Sequence, residues 1–318
     1  MKGGRGKRIA RVTISAAITA AILVFLVRSL LRGWREAGVY RWTVEPLPLI
    51  AAFAVAAAYF ALAAYGWKRV LAALGEEITF RHSCRVWFLS QLGKYIPGKV
   101  WFAMGRIVLA GRAGVGPVAA SVSTVVELML VLLAAALVFL VSLPARPGPA
   151  ERETAIALAG VALLLLFLHP RVFGFLLRLA ARIMRREALP YRVGWRGLLQ
   201  LTLLYGGSWI LYGTGLILLE RAIRLEGAPP PPPIGAPSRL LIFSGAAGIS
   251  WALGFLSVLT PSGLGVREAT LGYLLGSTLP PPAPVLLALA ARLWITLAEA
   301  GAAALGWFLG RGGDEKER

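Results

Sequence analysis

Long apolar runs separated by short polar stretches are the dominant pattern of the chain. Several runs exceed the roughly 18 residues that an α-helix needs to cross a bilayer. They predict an all-α polytopic membrane protein, with about seven transmembrane helices in a single integral membrane domain over residues 1–318. The predicted spans are residues 9–31, 47–67, 117–143, 154–168, 198–219, 240–259 and 284–309. The first run follows basic residues but has no small-residue cleavage site, so we interpret it as a retained span.

Residues 86–110, the first broken segment, are too polar and too interrupted to form a span. Pro97 removes a backbone donor and Gly98 permits a sharp turn, so a helix that arrives from Val86 should end there. A second short helix can begin at Val100. Irregular backbone at membrane depth is tolerated only where it is buried in protein or lines a cavity. We therefore expect a re-entrant hairpin that lines a cavity; the alternative is an amphipathic interfacial helix followed by an ordinary loop.

Residues 260–277, the second broken segment, interrupt the pattern in the same way. Proline and glycine residues stop the preceding span, and a short helix can follow from Val266 to Gly276. Each broken segment precedes a span that opens with proline, at Pro117 and Pro284. Paired interrupted segments are typical of transporters built from internal repeats. Because the two halves share few identical residues and the charges do not place the second break in the opposite leaflet, the repeat and the topology of the second half stay open.

The net charge of +19 has a different meaning in a membrane protein than in a soluble one. In a soluble protein it would suggest a nucleic-acid partner. Beside membrane spans, basic residues act instead as topology signals and as anchors for anionic lipid, so we expect no nucleic acid. The basic start, residues 2–11, predicts a multi-pass protein of the cell membrane with a cytoplasmic N-terminus. The arginine-rich residues 171–196, amphipathic in part, predict a segment on the cytoplasmic surface.

Ionisable residues in or near the spans are the candidate functional groups, because each costs about 2.5–3.5 kcal/mol to insert. Cations, aromatic residues and turns around the two breaks could bind an anionic lipid headgroup, aided by the helix starts that follow. These candidates are Lys94, Tyr95, Pro97, Gly98, Lys99, Trp101, Arg106, Pro261, Gly263, Gly265 and Arg267. The candidates for proton coupling or for pairing within the membrane are Glu127, Glu268, Arg292 and Glu299. Two interpretations can coexist: ion pairs that hold helices in register, and charges that face a cavity. The aromatic candidates Tyr95 and Trp101 could equally anchor the chain at the interface.

Residues for covalent or metal chemistry are scarce. The single cysteine allows no intramolecular disulfide and no cysteine-based metal site. Residues 261–263 are similar to part of a membrane phosphatase signature, but Leu264 stands where that chemistry requires a histidine. Ser208 lies in a stretch similar to intramembrane serine proteases, yet a serine nucleophile needs a neighbouring base. Since His82 and His169 are the two histidines of the chain, we expect no enzyme activity, no metal and no cofactor.

Two motifs carry a family resemblance: Gly-Lys-Tyr-Ile-Pro-Gly-Lys-Val-Trp over residues 93–101 and Pro-Ser-Gly-Leu-Gly-Val-Arg-Glu over residues 261–268. Together they resemble the lysylphosphatidylglycerol synthase transmembrane region, a flippase-like integral membrane family, over residues 47–309. In the two-part synthases a membrane flippase region precedes a cytosolic aminoacyl-transferase, which these 318 residues do not contain. The resemblance therefore implies translocation without lysyl transfer, and it does not carry over a substrate. Ser262 departs from the pattern, because a second glycine is common there.

The sequence thus predicts a flippase-like protein that moves a lipid or a lipid-linked anionic headgroup between leaflets. Its expected partners are the bilayer and a membrane phospholipid or lipid-linked substrate. The alternative is a non-catalytic scaffold for a separate cell-envelope lipid-modifying or glycosyl-transfer enzyme. The possible protein partners are a second copy of the chain, in a homo-oligomer, or that envelope enzyme. A structure without a polar cavity at mid-depth would favour the scaffold. A hydrolase would require a histidine within hydrogen-bond reach of Ser208 or Ser262.

Overall fold

The structure is a computed structural model, and it describes residues 41–95, 100–147, 151–169, 171–172, 174–175, 194–227, 229–257 and 261–314. Within these ranges the chain forms nine α-helices and one small antiparallel ribbon. The helices are α1 (Pro46–Ala73), α2 (Phe80–Gln91), α3 (Val100–Arg112), α4 (Pro117–Ser142), α5 (Glu151–Leu168), α6 (Trp195–Ala222), α7 (Ala236–Leu256), α8 (Val266–Leu275) and α9 (Ala283–Asp314). The ribbon pairs β1 (Arg41–Val44) with β2 (Ile223–Glu226) and so joins the start of α1 to the end of α6.

Among the described residues, five helices are long and apolar enough to cross a membrane: α1, α4, α6, α7 and α9. They coincide with five of the predicted spans, which confirms a polytopic, essentially all-helical membrane protein. Helix α5 corresponds to the predicted span 154–168, but its apolar stretch is the shorter Thr154–Leu166. The predicted span 9–31 lies outside the described residues, as does most of the predicted surface segment 171–196.

Both broken segments contain the short helices that the sequence predicts. In the first, α2 runs into a 3₁₀ turn at Leu92–Tyr95, here called the first turn, and α3 begins at Val100. In the second, α7 ends at Leu256, a 3₁₀ turn at Pro261–Gly263, the second turn, follows, and α8 begins at Val266. The first turn and the second turn lie against each other, although about 170 residues separate them in the chain.

Small residues let the long helices approach closely around these turns. On α6, a Cβ added at Gly213 would lie 2.6 Å from the backbone nitrogen of Ser244 on α7. On the other face of α7, a Cβ added at Gly245 would lie 2.9 Å from the Cβ of Ser142 on α4. Helix α7 is therefore held tightly between α4 and α6. Its C-terminal end leads directly into the second broken segment, which fixes where that segment enters the bundle.

Candidate functional site

A cavity of about 120 Å³ lies in the bundle beside the two turns. Its walls come from all the long helices described above and from both broken segments. Four charged side chains from the described part of the chain line it: Lys94 of the first turn, Glu127 of α4, Arg267 of α8 and Glu299 of α9. Three tyrosines and several aromatic rings complete the wall. The cavity therefore combines buried charge with apolar surface, and the candidates from the two breaks meet there.

Lys94 and Glu299 form an ion pair that joins the first turn to α9. The hydroxyl of Tyr95 also donates to Glu299, at 2.5 Å from Oε2, and lies 3.3 Å from the hydroxyl of Thr296. Glu299 is nearly fully buried, so these two donors supply the hydrogen bonds that a buried carboxylate needs.

Arg106 and Glu127 form a second pair, which links α3 to α4. The Arg106 side chain is completely buried, and its guanidinium lies over three aromatic rings. The guanidinium carbon lies 5.2 Å from the ring centre of Trp67, 5.7 Å from that of Trp87 and 4.6 Å from that of Phe102. The indole nitrogen of Trp87 donates to Oε1 of Glu127 at 2.8 Å. For Arg106 these contacts favour the interpretation that the sequence left open, an ion pair that holds helices in register.

Glu268 of α8, in the second broken segment, forms the corresponding contact with Arg292 of α9. The carboxylate of Glu268 accepts a hydrogen bond from the backbone nitrogen of Gly265 at 2.6 Å, which caps the start of α8. Its other oxygen lies 3.5 Å from Nη1 of Arg292, and that nitrogen also donates to the carbonyl of Ser262 at 3.2 Å. The start of α8, which the sequence predicts as a site for an anion, thus already holds a carboxylate of its own chain.

Arg267 differs from the other cations of the site. It donates to the hydroxyl of Tyr212 on α6, and its guanidinium lies 5.4 Å from the centre of that ring. Within the described part of the chain no carboxylate approaches it to ion-pair distance, although only 9% of its surface is exposed. A guanidinium has five N–H donors. Arg267 therefore keeps donors available to a group in the cavity.

Backbone conformation shapes the second turn. The φ angles are 54° at Ser262, 68° at Gly263 and 91° at Gly265. Residues other than glycine rarely adopt this left-handed region. A Cβ added at Gly263 would lie 2.6 Å from the carbonyl oxygen of Gly254 on α7. The predicted residues Pro261, Gly263 and Gly265 therefore act by forming this turn and bringing it against α7.

The remaining predicted residues fall elsewhere. Trp101 does not line the cavity, and 49% of its surface is exposed. Pro97, Gly98 and Lys99, the centre of the first break, lie outside the described residues.

Eight aromatic residues of the wall were not predicted from the sequence: Tyr59, Phe60, Trp87, Phe102, Tyr205, Tyr212, Trp251 and Phe255. The rings of Trp251 and Phe255 stack with centroids 5.3 Å apart and an angle of 12°. The available signal was the presence of tyrosine hydroxyls in the middle of apolar spans, where an unpaired polar group is costly.

The described residues offer no support for hydrolysis. The Ser208 hydroxyl donates to the carbonyl of Tyr205 at 2.6 Å. Nδ1 of His82 lies 2.9 Å from the hydroxyl of Thr79, and Nδ1 of His169 accepts a hydrogen bond from the backbone nitrogen of Arg171 at 3.2 Å. In the same part of the chain, no group of three or more histidine, cysteine or acidic residues could hold a metal ion.

These features define a class: a multi-pass membrane protein whose two broken segments meet at a partly charged cavity. The family comparison makes the assignment specific. The family of the lysylphosphatidylglycerol synthase TM region matches residues 9–298, a stretch that includes both broken segments, and no other domain matches. The chain therefore belongs to this family, which confirms the resemblance found in its motifs. A comparison with curated proteins found no match.

Proposed function

We propose that the protein moves a lipid, or a lipid-linked anionic headgroup, across the cell membrane. The observation that carries the proposal is the cavity in which the second broken segment presents Arg267 beside the first turn. A buried guanidinium without a carboxylate partner is costly, and an anionic headgroup would compensate it. A cavity of about 120 Å³ suits a headgroup, while the acyl chains of the lipid would stay in the bilayer.

The proposed membrane arrangement has seven spans, with residues 9–31 and α5 added to the five long helices. The two broken segments enter the membrane as re-entrant hairpins, and the N-terminus lies in the cytoplasm.

Paired contacts support an internal repeat. In the first half the short helix α3 pairs with the following span through Arg106 and Glu127. In the second half α8 pairs with the following span through Glu268 and Arg292, with the charges exchanged. Corresponding helices thus make corresponding contacts, as expected of duplicated units.

In the proposed mechanism Arg267 binds the headgroup phosphate, and the Lys94–Glu299 pair holds the first turn against α9 beside it. Separation of that pair would let the first turn move away from α9 and open the cavity. Glu299 is the proposed group for coupling to protons, because separation of its pair with Lys94 would free its carboxylate. No chemical step on the lipid is included, so the protein acts as a transporter and not as an enzyme. A structure without a polar cavity would have favoured the scaffold alternative, and the partly charged cavity supports transport instead.

The direct test is transport in proteoliposomes that contain fluorescent phospholipids of several headgroup classes, with quenching of the outer leaflet as the readout. Wild-type protein should exchange at least one class faster than vesicles without protein. The variant Arg267→Gln should slow this exchange. Arg224→Gln, which makes the same change at an exposed residue of β2, is the matched control and should retain the wild-type rate. The proposal fails if wild-type protein matches empty vesicles for every lipid class.

A further inference from the structure

The charges around the cavity do not balance. Within the described residues the site contains four cations and three carboxylates, and each carboxylate has its own cation. Lys94 is paired with Glu299, Arg106 with Glu127, and Arg292 with Glu268. Arg267 remains, so the described site carries one excess positive charge next to the cavity.

From this imbalance we infer that the site selects a headgroup with a single net negative charge, namely a phosphodiester whose other substituent is uncharged. The inference rests on the proposed function only in taking the occupant of the cavity to be a lipid headgroup. One phosphodiester neutralises Arg267 and leaves the three existing ion pairs intact. Zwitterionic and cationic headgroups would bring ammonium groups into a site that has no free carboxylate to receive them within its described residues.

The geometry around Arg267 fits this chemistry. A phosphodiester has two non-bridging oxygens, which match the paired donors of a guanidinium. The Tyr212 hydroxyl accepts from one nitrogen of Arg267, and its ring centre lies 5.4 Å from the guanidinium carbon, so donors of the other nitrogens are left for a ligand. The stacked rings of Trp251 and Phe255 line the same cavity and offer an apolar surface without charge. The uncharged part of the headgroup can pack on these rings.

A phosphomonoester is a less suitable ligand. It carries a charge of about −1.5 to −2 at neutral pH. Such a group would carry more charge than Arg267, the one available cation among the described residues of the site, can neutralise, and the excess would compete with Glu299 for Lys94. Lysylphosphatidylglycerol, the lipid in the name of the family, is also a less suitable ligand, because its lysyl group adds ammonium charges to the phosphodiester.

The test is a binding measurement that does not depend on transport: native mass spectrometry of the full chain in detergent, titrated with four lipids that share the same acyl chains. The lipids are phosphatidylglycerol, phosphatidic acid, phosphatidylcholine and lysylphosphatidylglycerol. Phosphatidylglycerol should bind about tenfold more tightly than the other three, which corresponds to one charge-assisted contact. Arg267→Gln should abolish the preference, and Arg224→Gln should leave it unchanged.

Three outcomes would overturn the inference: equal binding of phosphatidylcholine, tighter binding of phosphatidic acid or lysylphosphatidylglycerol, or a preference that survives in Arg267→Gln. The transport assay separates this failure from that of the proposed function. Exchange of all lipids at similar rates with no binding preference would contradict the charge selectivity alone. A clear preference for phosphatidylglycerol without any lipid exchange would contradict transport and leave the headgroup site standing.

Discussion

The two broken segments have similar architecture but use their charges differently. In the first, each described cation of the site is neutralised: Lys94 by Glu299, and Arg106 by Glu127. In the second, Glu268 is bound by its own helix start and by Arg292, while Arg267 faces the cavity with a tyrosine as its polar partner. The comparison indicates that the described part of the first segment holds the bundle together, and it supports our proposal that the second segment presents the ligand-binding group. Cations near a membrane break are therefore not equivalent.

The largest loss of stability should come from breaking the buried Arg106–Glu127 ion pair of the first segment. Arg106→Met leaves Glu127 buried without its cation, which should cost about 3–5 kcal/mol of stability. The double variant Arg106→Met/Glu127→Met removes both charges and should recover most of the loss. Thermal unfolding in detergent measures both, with the exposed Arg224→Met as control. If Arg106→Met unfolds at the wild-type temperature, Arg106 is not a structural cation and the contrast between the segments is wrong.

The second turn should be the next most sensitive position. Gly263→Ala forces a side chain into a left-handed backbone conformation and against the carbonyl of Gly254, so we expect a loss of about 1–3 kcal/mol. Gly227→Ala is the matched control, because Gly227 has a φ of 83° but open space around an added Cβ. The difference between their melting temperatures isolates the contact with α7. Equal destabilisation by the two variants would show that this contact does not hold the turn.

A smaller effect on stability is expected for the ion pair that links the first turn to α9. Lys94→Gln and Glu299→Gln should each destabilise the protein, and their double variant should show a coupling energy of about 1 kcal/mol. The Lys94 side chain is 23% exposed, so part of its attraction to Glu299 is screened. The control cycle combines Lys68→Gln with Glu226→Gln. These two described residues are not paired with each other, so their effects on stability should be additive. An additive Lys94–Glu299 cycle would contradict the pairing.

The smallest effect should come from Ser262→Gly. The change relieves a left-handed conformation but adds flexibility to the unfolded chain, so stability should rise by no more than about 1 kcal/mol. Lipid exchange should remain at the wild-type rate, because Ser262 holds Arg292 through its backbone carbonyl. A large loss of exchange would instead assign the Ser262 hydroxyl to the ligand.

Hydrophobic run length and proline–glycine breaks predict the local structure of this protein well. The five long helices and the short helices α3 and α8 follow from these signals, since both depend on neighbouring residues. The pairing of charges depends on tertiary contacts instead. Glu299 lies 205 residues from Lys94, and nothing in the local sequence separates the paired Arg106 from the available Arg267. Tyr212 escaped prediction for the same reason, because its role comes from a residue 55 positions away.

The central claim is that the two broken segments together enclose a headgroup site at Arg267. The most direct measurement is a cryo-electron microscopy structure of the full chain in nanodiscs that contain phosphatidylglycerol. The account predicts phosphate density within hydrogen-bond distance of the Arg267 guanidinium, beside Tyr212 and between the first and second turns. It would be contradicted by turns that lie apart at the membrane surface, or by an Arg267 that is paired with a carboxylate while headgroup density lies elsewhere.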